Sequence, residues 1–185
     1  MGESVVTNLS KIKKLSKNIH LLLSLLLVVI PIYYVVYWLF INHLPETLIT
    51  VNTQPVPLAP HELSVNLQIL GFLACLFPLS ALTYGLINVR RLFAYYRDGV
   101  IFTLEHVKTF KNIARAFVLW VVFSILYESA KSVLFSIGNP PGQRVLSVGF
   151  DSTDITMLIM CGVIFVISWV MDEGRALAEE QQLTV

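Results

Sequence analysis

The sequence predicts an all-α membrane protein of four transmembrane helices, with both termini on the cytoplasmic side. Three observations predict it. Of 185 residues, 56% are hydrophobic and only 14% charged, against roughly 25% charged in an ordinary soluble domain. The apolar residues are bunched into four runs, each near the ~20 residues that cross a hydrocarbon core about 30 Å thick. Lys and Arg then fall on alternate connections, which sets an orientation.

The first span is expected at 19–41. Lys11, Lys13, Lys14 and Lys17 precede it, as in a signal peptide, but its apolar stretch exceeds a typical h-region and no A-x-A-like cleavage site follows. The other spans are expected at 67–89, 114–137 and 155–171, all within one domain, 1–185. None alternates with period two, which sets a β-barrel aside. Pro31 and Pro78 fall mid-span, where each removes an intrahelical hydrogen bond. Ala81 and Gly85 form a small-xxx-small pair that lets a neighbouring helix come close.

The connection 90–113 holds Arg90, Arg91, Arg97, Lys108 and Lys111, with Arg115 just beyond it, whereas 42–66 holds no Lys or Arg. The positive-inside rule therefore places the N-terminus, the 90–113 loop and the 172–185 tail in the cytoplasm, with 42–66 outside. Tyr37 and Trp38 mark the outer end of the first span, and Tyr84 and Trp169 mark inner ends. Pro45, Pro55, Pro57 and Pro60 make the outer loop an extended connector. Asp98-Gly99 signals a turn, and Thr103 is placed to cap a helix starting at Leu104. Val107, Phe110, Ala114 and Phe117 recur beside the basic face of Lys108, Lys111 and Arg115. This predicts a basic amphipathic interfacial helix before span three, attracted to anionic membrane lipid. The acidic tail, with Asp172, Glu173, Glu179 and Glu180, is opposite in sign and is expected to pack along that helix.

Two stretches carry a family resemblance. Phe102, Thr103, Val107, Phe110, Lys111 and Ile113 lead into the third span, and Ala176, Glu180, Gln181, Leu183, Thr184 and Val185 close the chain. On these patterns the sequence resembles the bacterial four-span membrane family known as domain-of-unknown-function 2975. Gln181 stands where the family more often has Asn. The resemblance implies no known activity. It implies a genetic association with small helix-turn-helix regulators, hence a membrane component of a two-gene regulatory module.

Inside span three, Glu128 lies about 20 Å along the helix from Arg115, with Lys131 at i+3 on the same face. An intramembrane ionisable residue is costly unless paired or hydrated, and Lys131 can snorkel toward the outer surface, so a local structural pair is expected ahead of a substrate or proton site. Cys75 and Cys161 match no zinc or redox spacing and read as packing residues. His20, His43, His61 and His106 are dispersed. No nucleophile elbow or phosphate loop is present, so neither catalysis nor any cofactor or metal is expected.

The functional expectation is a regulatory or scaffold component of the bacterial inner membrane. Lys108, Lys111, Arg115, Glu179 and Glu180 are its partner-binding candidates, and it makes no direct contact with nucleic acid. The alternative is a small transporter or channel that uses Glu128 and Lys131 and forms its path as a homo-oligomer.

Overall fold

A backbone surrounded by lipid must satisfy its own hydrogen bonds, and long uninterrupted helices do so residue by residue. A computed structural model of the protein describes residues 2–45, 48–49, 62–99 and 103–183, with side chains described from residue 11 to 180 except at 178. It holds α1 (Gly2–Leu39), α2 (Val65–Arg97), α3 (Leu104–Ser136) and α4 (Ser152–Leu183), with a short 3-10 turn at Ile41–His43. All four are long and apolar enough to cross a membrane. The chain is a multi-pass membrane protein. The expectations for Pro55, Pro57, Pro60, His61, Phe102, Thr184 and Val185, and for the Gln181 and Leu183 side chains, lie outside the described residues.

The helices run well past the expected spans. α2 continues beyond Val89 to Arg97, and α3 starts at Leu104, so most of the expected 90–113 loop is helical. The turn between them uses Gly99 at φ 78°, a conformation that costs a side-chain-bearing residue. Pro31 and Pro78 both sit inside continuous helices.

The expected interfacial helix is not a separate element. Leu104–Ser136 is one helix with neither Gly nor Pro to break it, and residues 104–113 form its first turns. Val107, Ile113 and Ala114 are buried in protein contacts, where an interfacial helix would have sunk its apolar face into lipid.

Each helix packs antiparallel on its neighbour in sequence, at a register fixed by named contacts. Trp38 of α1 fits against Gly71 of α2, and near the other end Arg90 Nε donates to His20 Nε2 at 3.3 Å. Between α2 and α3, Asn112 Nδ2 donates to Asn88 Oδ1 at 3.3 Å. A Cβ on Gly85 would lie 3.2 Å from that of Ala116, so the small residues at 81 and 85 serve the α2–α3 contact. Between α3 and α4, the Cys161 thiol donates to the Ala114 carbonyl at 3.3 Å, and Ser168 Oγ donates to that of Val107 at 3.5 Å. In the most apolar window of each helix, 28% is buried for α2 and α3 but 6% for α1 and 11% for α4. α2 and α3 are the centre and α1 and α4 the flanks.

The main apolar cluster gathers at one end of the bundle: Trp38, Ile41, Leu63, Cys75, Tyr127, Leu134 and Phe135. Polar side chains secure the connections at that end. Asn42 Nδ2 donates to the Leu63 carbonyl at 3.0 Å while Leu63 N–H donates to Asn42 Oδ1 at 2.9 Å. The Val145 N–H donates to Ser136 Oγ and the Ser147 N–H to Ser132 Oγ, both at 3.0 Å. Asp151 Oδ1 caps α4 by accepting from the N–H of Thr153 and of Asp154, and Asp154 Oδ2 accepts from Asp151 N–H.

Candidate functional site

At i,i+3 spacing, two long side chains on one helix face can meet. Lys131 Nζ lies 2.7 Å from Glu128 Oε1. The Lys131 side chain is 5% exposed and that of Glu128 27%. Lys131 does not snorkel outward. Its ammonium sits 4.9 Å from the centroid of the Tyr127 ring, and Tyr33, Tyr34 and Tyr37 of α1 line the same cleft. The Tyr127 face and the Glu128 carboxylate give the cation partners that lipid could not, so the buried position is the favourable one.

Glu128 also borders a second cleft of about 340 Å³, lined by Trp120, Ser124, Asp151, Thr153 and Asp154. The same carboxylate thus stands between a tyrosine-lined cleft and an acidic one. Asp151 and Asp154 have no ion-pair partner among the described residues. Among those residues no group of three or more His, Cys, Asp or Glu is placed to hold a metal ion.

At the opposite end, the basic and acidic candidates are not brought together as expected. Lys108 pairs with Glu105 on its own helix at 3.0 Å, and Glu179 pairs with Arg175 on its own helix at 2.6 Å. Arg175 also reaches Asp172 at 3.1 Å. Arg115 donates to Asn112 Oδ1 at 3.3 Å, and Lys111 and Arg115 have no ion-pair partner among the described residues. The register explains the outcome. Ser168 is level with Val107, only three residues from the start of α3, while Glu179 and Glu180 lie about 16–18 Å farther along α4. The tail therefore runs past the end of α3 instead of along it.

His106 is a residue that sequence reasoning missed. It is fully buried at the start of α3, with its ring 5.2 Å from those of both Tyr95 and Tyr96. Its Nδ1 lies 2.8 Å from Thr103 Oγ1. Thr103 occupies the N-cap position, yet its hydroxyl serves this ring instead of a backbone N–H. Only the tyrosine pair one helix earlier hinted at such a cage. In the adjoining turn, hydrogen bonding from Arg97 holds the Asp98 carboxyl below its ordinary value of 3.8.

A family model described as "Protein of unknown function (DUF2975)" matches residues 13–185. No curated protein and no solved structure matches the chain.

Proposed function

The chain belongs to the DUF2975 family, and from that premise we propose that it is a regulatory or scaffold component of the bacterial inner membrane, without enzymatic activity, that docks a cytoplasmic protein partner. The single observation that carries this reading is the projection of α4. Its last turns, from Asp172 to Leu183, extend beyond the start of α3 as a helix bearing Asp172, Glu173, Glu179 and Glu180. Leu177 on this stretch is exposed.

The orientation belongs to the same proposal. The antiparallel register gathers Lys11, Lys13, Lys14, Lys17, Arg90, Arg91, Arg97, Lys108, Lys111 and Arg115 at one end. By the positive-inside rule that end is cytoplasmic, with both termini on it. An acidic helix above a basic membrane rim suits a partner with a basic surface, such as a small helix-turn-helix regulator. The regulator, rather than this chain, contacts nucleic acid. Reporter fusions at both termini should give a cytoplasmic signal, and a periplasmic signal at either would reject the orientation. Full-length protein in nanodiscs should retain a small helix-turn-helix protein with a basic surface, and replacement of Glu179 and Glu180 by Gln should weaken retention. Equal retention by both forms would reject the docking surface.

The alternative of a small oligomeric transporter or channel draws on the cleft beside the half-buried Glu128. Ion flux through liposomes that is lost in Glu128→Gln would favour it.

A further inference from the structure

An apolar groove of about 220 Å³ opens on the face of α3 between α2 and α4, walled by Leu82 and Leu86 of α2, Phe117 and Trp120 of α3, and Met157 of α4. It exists because Gly85 and Ala116 bring α2 and α3 together without filling the space beside them. The groove does not end at Trp120. That indole also lines the acidic cleft of Glu128, Asp151 and Asp154, and Asp154 is one helical turn from Met157. On α3 the two hollows share one stripe: Ile113, Phe117, Trp120, Ser124 and Glu128 recur at helical spacing. This stripe is about 22 Å long.

From this continuity we propose that the groove is a binding site for a single-chain cationic amphiphile. The alkyl tail lies along Leu86 and Phe117, and the ammonium head rests against Trp120 among the carboxylates. Charge complementarity selects the occupant. Three carboxylates border the head position, and among the described residues Lys131 offsets Glu128 alone, which leaves Asp151 and Asp154 to attract the head. Capping engages Oδ1 of Asp151 and Oδ2 of Asp154, and among the described residues neither carboxylate has an ion-pair partner. An indole face attracts an ammonium, and a phosphate-bearing lipid head would place a negative charge against the same carboxylates. The proposal is independent of what docks on the α4 tail, which lies at the other end of the bundle.

The test uses full-length protein in phosphatidylcholine nanodiscs and a tetradecyltrimethylammonium probe with a mid-chain diazirine, beside its alkyl sulfate twin. The cationic probe should label the peptides containing Phe117, Trp120 or Met157 roughly fivefold more than the sulfate. Unlabelled tetradecyltrimethylammonium should compete the label away. The Asp151→Asn/Asp154→Asn double variant, which keeps the capping acceptors, should lose most of the preference, and Leu86→Trp should reduce labelling by filling the groove. Equal labelling by the two probes would overturn the proposal, as would undiminished preference in the double Asn variant. Competition by phosphatidylethanolamine as strong as that by the unlabelled cation would also overturn it, by making an ordinary bilayer lipid the occupant.

Discussion

The indole of Trp38 fills the space that a side chain at Gly71 would occupy. A Cβ built at Gly71 would overlap the ring, and Trp38 is 2% exposed. The largest side chain of α1 therefore depends on the smallest residue of α2. Gly71→Leu should destabilise the bundle by about 3 kcal/mol through overpacking. Thermal unfolding in mild detergent measures this, and a wild-type midpoint would show that the ring has room to move.

Glu128 and Lys131 should be energetically coupled. Removing the carboxylate alone in Glu128→Gln takes from a buried ammonium the counter-charge at 2.7 Å, at a cost of about 3 kcal/mol. Replacing both, as Glu128→Gln/Lys131→Met, should recover much of that loss. A double-mutant cycle on unfolding midpoints checks it, and strictly additive losses would mean that the two charges do not support each other.

The Asn88–Asn112 bond between α2 and α3 should matter less. Asn88 keeps a second bond, from its Nδ2 to the Tyr84 carbonyl at 2.8 Å. Asn112→Leu should cost about 0.6 kcal/mol, the usual scale for such bonds within membranes. A loss several times larger would reveal a wider network around the pair.

The α2–α3 turn calls for Gly99. Its φ of 78° is unfavourable for an L side chain, so Gly99→Ala should lower stability by about 1 kcal/mol. An unchanged melting midpoint would show that the turn readily adopts another conformation.

The same turn gives a pH dependence. Asp98 in the folded chain titrates below its ordinary value of 3.8 because Arg97 bonds its carboxylate at 2.9 Å. Its contribution is present above that ordinary value and is lost as pH falls through the folded one. Asp98→Asn should therefore narrow the stability difference between about pH 5 and about pH 3. The effect is small, because both side chains are exposed.

The four helices were legible because bilayer thickness imposes a length that hydropathy reports directly. The pairing of Glu128 with Lys131 was legible as well, since i,i+3 geometry is local. What escaped the sequence depends on other helices. Lys131 turns inward because α1 brings Tyr33, Tyr34 and Tyr37 over it, and no spacing along α3 announces that. The acidic tail misses Lys108 and Lys111 because Ser168 meets Val107, a register visible only once α3 and α4 are packed. His106 looked incidental until Tyr95 and Tyr96 were found on either side of its ring. The first family stretch has a physical basis in part: Val107 and Ile113 are both buried between helices.

Asn42 and Leu63 exchange two hydrogen bonds, much as two strand residues would. The chain leaves the bundle at Asn42 and is returned to it at Leu63 by that single side chain. With the two ends joined in this way, residues added between them cost little extra loop entropy. A few residues inserted there should leave the melting midpoint of the bundle nearly unchanged, as long as Leu44 and Ile49 keep their places against its core.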